Sequence, residues 1–204
     1  MNAINTEDTT TREQWLNAVA HKLDTVAFTP NGYPLPAVKI SCSWALGGKA
    51  KNKKTLGQCF ARSASGKGLN EIMIVPTVED SFEIADTLAH ELAHAVDDCQ
   101  NGHKKGYKII CEAVGLDGSS KYKYAKAGEK LTEQIKDILK EVGDYPHSAI
   151  DVSTVKKQTT RMVKVACTLC SFSYRTSRKN IEMTTNNTCN GCGEDSLDFL
   201  QGQG

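Results

Sequence analysis

Hydrophobic residues follow a helical period in several stretches of the chain, and each stretch carries a start or a stop signal. The first opens with a capping-box pattern at 10–14 and ends at Pro30-Asn31-Gly32. The second opens with a similar pattern at Asp80, and its apolar stripe comprises Ile84, Leu88, Leu92 and Val96. We therefore predict an amphipathic first helix and a second helix over 81–98.

Alternation typical of strands fills the region between these two helices. The three alternating runs span 38–44, 58–62 and 72–75. Their arrangement indicates a small antiparallel meander, and we expect Trp15 and Trp44 to lie in the core. Two further helices, which Gly115 and Gly143 would close, are predicted over 104–114 and 126–142.

The composition is that of an ordinary globular protein. The 204 residues carry a net charge of +1, with 39% hydrophobic and 24% charged residues, which excludes a disordered or fibrous chain. No apolar run approaches the roughly 20 residues that span a bilayer, and residues 1–8 lack an export signal. We therefore expect a cytoplasmic protein whose eight cysteines are metal ligands or free thiols rather than disulfides.

Charge divides the chain into two parts. Residues 151–192 hold seven Lys or Arg and only two Asp or Glu, whereas residues 1–150 are nearly balanced. A turn-rich segment at 143–148 and a polar connector lie between the two parts. We predict an α+β domain over 1–150 and a small basic domain over 151–204.

The second predicted helix contains an HExxH sequence, His90-Glu91-Leu92-Ala93-His94. Helix residues four apart share a face with Cβ atoms about 5–6 Å apart, so both imidazoles can reach one Zn²⁺ at about 2.0–2.1 Å. Glu91 is placed to act as general base on a metal-bound water. The alternative interpretation is a surface helix that carries two histidines by chance.

Gly102-His103 follows His94 at a distance that lets the helix end and the chain fold back. Three protein ligands leave a fourth position for water, which distinguishes a catalytic zinc site from a closed structural one. We favour His103 as the third ligand because imidazole suits zinc, although it could instead only start the next helix. The residues that compete for the ligand role are Asp97, Asp98, Cys99 and Glu112.

The basic domain contains two CxxC pairs, Cys167/Cys170 and Cys189/Cys192, separated by 18 residues. Each pair can turn two thiolates toward one ion, and the two pairs complete a tetrahedral Cys₄ zinc site in a zinc ribbon. Redox motifs or disulfides are the alternative, which a reducing cytosol disfavours. A site with four protein ligands has no open position, so we assign this zinc a structural role.

Cations and one aromatic residue surround this predicted ribbon and suggest contacts with nucleic acid, against the alternative of a solvated surface. The candidate nucleic-acid-binding residues are Arg161, Lys164, Tyr174, Arg175, Arg178 and Lys179. A second basic stretch comprises Lys49, Lys51, Lys53 and Lys54, for which a solvated loop is the simpler interpretation.

The HExxH sequence followed by Gly102-His103 and Tyr107 resembles the SprT-like zinc metalloprotease family, which includes the Spartan proteases that digest DNA–protein crosslinks. The segments around Trp44, 56–59 and 70–74 also resemble that family's strands. The likeness covers about residues 12–115 and continues into the cysteine module. One departure is Lys104, where many members have a second glycine.

This resemblance implies a zincin-like metalloprotease domain, built from a helix, a three-stranded antiparallel sheet, the HExxH helix and further helices, followed by the zinc ribbon. It implies a catalytic zinc on His90, His94 and His103, with Glu91 as general base. The expected protein is thus a DNA- or nucleoid-associated endopeptidase with two Zn²⁺ per chain that acts on DNA-bound or DNA-crosslinked protein substrates. The alternative is a non-catalytic nucleic-acid-binding or transcription-associated zinc protein.

Overall fold

A computed structural model describes residues 10–46, 55–118, 122–154, 162–183, 187–195 and 197–200. Contacts within the chain divide it into two compact units, Met1–Ser153 and Thr154–Gly204. The architecture is mixed α+β, with small sheets and several helices. Among the described residues, no helix is both long and apolar enough to cross a bilayer.

The first helix, α1, spans Arg12–Leu23, and its start is the predicted capping box. The backbone N–H of Gln14 donates to the Thr11 hydroxyl at 3.1 Å, and the backbone N–H of Thr11 donates to the side-chain oxygen of Gln14 at 2.7 Å. The helix continues through a π-helical turn and a short 3₁₀ turn to Gly32, whose φ of 83° ends it. Trp15 is buried, as predicted, and its indole N–H donates to the Gly143 carbonyl at 3.0 Å.

The first sheet contains β1 (Val38–Cys42), β2 (Gly57–Phe60) and β3 (Asn70–Ile74), in the order β1-β3-β2. β1 runs parallel to β3, and β2 runs antiparallel to it, so the predicted antiparallel meander is wrong. The sheet is mixed because β3 lies between β1 and β2 rather than at the edge beside β2. β3 takes the central position and buries Ile72 and Ile74, the most apolar pair of the three strands.

Trp44 does not belong to the core, contrary to the prediction. β1 ends at Cys42, and the Trp44 side chain is 40% exposed. The alternating pattern of 38–44 extended beyond the strand because the periodicity of apolar residues does not show where a strand's hydrogen bonding stops.

Helix α2 spans Ser81–Val96, and the Asp80 carboxylate caps it by accepting from the Glu83 N–H at 2.7 Å. Its predicted apolar stripe packs in the central hydrophobic cluster, where Ile84, Leu88 and Leu92 are buried. The cluster also contains buried residues of α1, β1, β3 and the helices that follow α2. This packing holds α2 in a fixed orientation, so the side chains outside the apolar stripe, including those of the HExxH sequence, also have fixed positions.

Helix α3 spans Lys105–Val114 and ends at Gly115, whose φ is 89°. Two short strands follow, β4 (Leu116–Asp117) and β5 (Lys126–Ala127), which pair antiparallel. Helix α4 spans Glu129–Val142, so the predicted start at residue 126 is wrong. Lys126 and Ala127 leave the helical pattern because their backbones pair with β4, and Gly128 is the N-cap of α4.

The second unit contains β6 (Val163–Cys167), β7 (Ser173–Thr176), helix α5 (Arg178–Glu182) and β8 (Leu197–Leu200). The strands form an antiparallel sheet in the order β7-β6-β8. Val165 and Cys189 are its fully buried residues among those described. So few buried side chains cannot stabilise a fold of this size without a crosslink or a metal.

Candidate metal centres

The structure brings His90, His94 and His103 together: the ligand nitrogens of the three imidazoles lie within 4.8 Å of one another. His90 and His94 are one helical turn apart on α2, with ring centroids separated by 5.1 Å. The Nε2 atoms of His94 and His103 are 3.2 Å apart. Each ring contributes one nitrogen to the same small volume, which is the arrangement a chelate requires.

His103 reaches this volume because the chain reverses after α2. Asp98 and Cys99 adopt positive φ angles of 48° and 56°, which is uncommon for residues other than glycine. The Asp98 carboxylate accepts from the Arg62 N–H at 2.8 Å and from the Asn70 amide at 2.9 Å, and so fixes the reversal against the sheet. The reversal is thus held by specific hydrogen bonds.

The residues that compete with His103 for the third ligand position have other partners. Asp97 accepts from the Asn101 N–H at 2.7 Å, and Asp98 binds Arg62 and Asn70. Glu112 accepts from the Tyr122 hydroxyl at 2.8 Å, and the Cys99 thiol donates to the Cys59 carbonyl at 3.5 Å. Within the described part of the chain, the group of converging ligand atoms around α2 is composed of the three histidines.

The spacing of one pair of imidazoles fits a tetrahedral ion. Two nitrogens that are each about 2.0–2.1 Å from such an ion lie about 3.3 Å apart. The 3.2 Å between the Nε2 atoms of His94 and His103 agrees with this value. The donor set of three neutral imidazoles suits zinc and other divalent transition metals.

Neighbouring groups hold the ligand rings in place. The Nδ1 atom of His90 lies 3.2 Å from the carbonyl oxygen of Ala125. The Tyr107 ring stacks on His94 with a centroid distance of 3.9 Å and an interplanar angle of 14°, and its hydroxyl donates to the His90 carbonyl at 3.2 Å. Tyr107 is fully buried, and its contacts are with the histidine ring and backbone.

Burial keeps the imidazoles neutral. Desolvation lowers the pKa of His90 to about 4 and that of His94 to about 3. It also lowers the pKa of the more exposed His103. A metal ion that binds at neutral pH therefore does not have to displace protons from these rings.

Glu91 lies beside the histidines, and its side chain is only 7% exposed. Burial raises the pKa of its carboxyl to about 8, while a hydrogen bond from the Cys59 backbone acts in the opposite direction. β2 approaches closely at this point: a Cβ on Gly57 would lie 2.7 Å from the Glu91 Cγ atom. A cation on the neighbouring imidazoles would favour the ionised carboxylate, as a general base requires.

A cavity of about 440 Å³ opens onto these groups. Its lining includes residues 55–59 and 123–126. His90, Glu91, His94 and His103 all face it. The cavity is large enough for several atoms of a ligand to reach the histidines and Glu91 at once.

The second unit brings together the sulfurs of Cys167, Cys170, Cys189 and Cys192. The Sγ atoms are 3.7 Å apart in the Cys167/Cys192 pair and 3.7 Å apart in the Cys170/Cys189 pair. Sulfurs that are each about 2.3 Å from a tetrahedral ion lie about 3.8 Å apart. The cluster therefore fits a closed metal site.

Backbone amides point at these sulfurs. The Cys170 N–H donates to Cys167 Sγ at 3.2 Å, and the Gly191 N–H donates to Cys189 Sγ at 3.3 Å. Gly191 is needed here because a Cβ would lie 2.8 Å from the Phe172 Cβ atom. Such amide hydrogen bonds stabilise thiolates, the form that binds metal.

The predicted nucleic-acid-binding residues lie on different faces of the second unit. Lys164 and Arg175 are exposed cross-strand partners on β6 and β7, whereas Tyr174 pairs with the buried Val165 on the opposite face. Arg178 and Lys179 are exposed on α5. Arg161 lies outside the described residues, as do Lys49, Lys51, Lys53 and Lys54.

Three neighbours of the histidine site were missed by the sequence interpretation: Asp86, Ala125 and Gly57. Asp86 precedes His90 by four residues, so helical spacing could have placed it near that ligand. No sequence signal marks Ala125, because its role depends on the fold of a loop 35 residues away from His90.

Comparisons of the chain with protein-family models, curated protein sequences and solved structures gave no match. The features that bear on function are therefore the histidine group, the Glu91 carboxylate beside it and the cavity that these residues line, together with the separate Cys₄ cluster.

Proposed function

We propose that the chain is a zinc-dependent endopeptidase of the SprT-like type that acts on DNA-bound or DNA-crosslinked proteins. The observation that carries this proposal is the convergence of His90, His94 and His103 in one cavity with Glu91 beside them. The HExxH sequence on α2 and the following Gly102-His103 support the family. The packing of α2 against a small mixed sheet supports a zincin-like domain.

Three histidines would hold the catalytic zinc and leave a ligand position open. When bound, zinc supplies a Lewis acid that polarises a peptide carbonyl and makes water acidic enough to be deprotonated at neutral pH. The Glu91 carboxylate would accept the proton of the attacking water and later donate it to the leaving amine nitrogen. The hydrogen bond from the Cys59 backbone would help to hold this carboxylate in place.

The second unit would hold a structural zinc on its four cysteines. The free energy of binding such an ion, on the order of 10 kcal/mol or more, would be the main source of stability for a unit with so small a core. Its exposed Lys164, Arg175, Arg178 and Lys179 would contact phosphates and direct the enzyme to DNA.

A second candidate function is a non-catalytic nucleic-acid-binding zinc protein. The observation that favours it is that the Cys₄ cluster and the exposed cations of the second unit do not depend on the histidine site. In this case the histidine site would also bind zinc, but Glu91 would have no role in chemistry.

Cleavage of a protein crosslinked to DNA tests the proposal and separates the two functions. We expect the wild-type protein to cleave it and a chelator to stop the reaction. Glu91→Gln should lower the rate by a factor of 10² or more because general-base catalysis is worth about 10²–10⁴-fold, with both zinc ions retained. Equal cleavage by Glu91→Gln would remove Glu91 from the chemistry, and no cleavage by the zinc-loaded wild type would favour the binding protein.

A further inference from the structure

We propose that Asp86 is a positioning residue for the zinc site: it anchors β5 so that the Ala125 carbonyl orients the ring of His90. This inference rests on the proposed function of the histidines. Asp86 lies on α2 one turn before His90, faces the same cavity and is 3% exposed. Its carboxylate is not among the converging ligand atoms, so its effect would be indirect.

The first step is the contact between Asp86 and β5. One carboxylate oxygen accepts from the Ala127 N–H at 2.6 Å, and the other lies 3.4 Å from the Lys126 ammonium. β5 has only two residues, and its partner β4 is equally short. So short a ladder is weakly held by itself, and Asp86 ties it directly to the helix that carries the ligands.

The second step leads from β5 to His90. Ala125 immediately precedes β5, and its carbonyl oxygen lies 3.2 Å from His90 Nδ1. A carbonyl can only accept a hydrogen bond, so Nδ1 must carry the proton and Nε2 must present its lone pair to the other imidazoles. A fixed carbonyl at this place therefore determines both the tautomer and the direction of the ring.

A carboxylate at this position is not explained by the stability of the fold. Asp86 is almost completely buried, although a carboxylate is costly to remove from water. An ion pair in such surroundings adds little stability compared with a well-packed apolar side chain. The position would thus favour an apolar residue if stability of the fold were its only requirement.

The test compares zinc affinity at the histidine site with the stability of the metal-free protein. Co²⁺ bound by imidazoles has a visible absorption spectrum that reports the geometry of this site apart from the thiolate charge-transfer bands of the cysteines. We expect Asp86→Leu to fold and to weaken zinc binding at the histidine site by about 10–100-fold, with an altered Co²⁺ spectrum. Asp86→Asn, which keeps an oxygen acceptor for the Ala127 N–H, should restore most of the affinity.

Two controls separate positioning from stability. Lys126→Met removes the ion pair but leaves the Ala127 hydrogen bond, so it should bind zinc normally. Leu16→Ala truncates a fully buried side chain of α1 and should destabilise the fold without weakening the histidine site. If Asp86→Leu does not fold, the comparison of Asp86→Asn with Asp86→Ala replaces it, with the same expected order of affinities.

Wild-type zinc affinity and an unchanged Co²⁺ spectrum in Asp86→Leu would overturn the inference, as would a loss in Asp86→Asn equal to that in Asp86→Leu or Asp86→Ala. Failure of the proposed function is a distinct result. In that case the wild-type protein would either bind no zinc that His90→Ala removes, or bind it and fail to cleave a DNA-crosslinked protein.

Discussion

The Nε2 atoms of His94 and His103 face each other across 3.2 Å, although the two residues lie on different elements. Burial lowers the pKa of both rings, so the neutral forms are favoured at neutral pH and each Nε2 atom can present a lone pair to a cation. Two lone pairs directed at one point are stabilised by a metal cation. His103, on the loop after α2, and His94, on the helix itself, are therefore placed to bind the same metal ion.

Removal of His103 should weaken the histidine site specifically. His103→Ala leaves two imidazoles, and we expect zinc affinity at this site to fall by at least 100-fold, with loss of proteolysis. Isothermal titration of the chelator-treated protein measures this change. His21→Ala, on the exposed side of α1, is the matched control and should bind zinc as the wild type does. Equal affinity in both variants would assign the third ligand position to another residue.

A methyl group at Gly57 should displace the Glu91 carboxylate. The added Cβ would lie 2.7 Å from Glu91 Cγ and 2.8 Å from its Oε1 atom, so either β2 or the carboxylate must move. We expect Gly57→Ala to destabilise the protein by about 1–3 kcal/mol and to lower kcat while zinc remains bound. Gly66→Ala, where a Cβ meets no atom within 4 Å, is the control. Full activity of Gly57→Ala would argue against a fixed position of Glu91.

Glu91 should make the metal-free protein less stable as the pH rises. Its pKa is about 8 in the folded state, against an ordinary value of 4.5, so the folded state binds more protons than the unfolded state between these values. Stability therefore falls from pH 4.5 to 8, and Glu91→Gln removes this loss. The stability gained by Glu91→Gln should grow by a few kcal/mol across this window and then level off.

Urea unfolding in the presence of a chelator, followed by tryptophan fluorescence, measures this difference for the first unit, which contains both tryptophans, Trp15 and Trp44. His90 and His94, whose lowered pKa values make stability fall toward acid pH, are common to both proteins and cancel in the comparison. A difference in stability that does not change with pH would show that Glu91 is not buried as described.

Loss of one cysteine ligand should unfold the second unit and separate DNA binding from peptide hydrolysis. Cys170→Ser leaves three thiolates, and we expect loss of the structural zinc and of salt-dependent DNA binding. Hydrolysis of a DNA-free peptide should continue, because the histidine site belongs to the first unit. Cys42→Ser, outside the cluster, is the control. Normal DNA binding by Cys170→Ser would remove the second unit from substrate recruitment.

The sequence predicted those features that depend on local spacing. The pairing of His90 with His94 and the turns of the CxxC pairs follow from backbone geometry over a few residues, as does the capping box at Thr11. Features that depend on pairing between distant segments were not predicted. The position of β3 between β1 and β2, the strand character of Lys126 and the contact from Ala125 to His90 are set by tertiary hydrogen bonds that leave no periodic pattern.

The metal content of the purified chain tests the central claim most directly. Native mass spectrometry should show two zinc ions per chain in the wild-type protein and one in His90→Ala. Cys170→Ser should also hold one zinc ion, because it loses the ion of the Cys₄ cluster and keeps the one on the histidines. One zinc ion in the wild type that His90→Ala leaves in place would contradict the histidine site and, with it, the assignment of proteolysis.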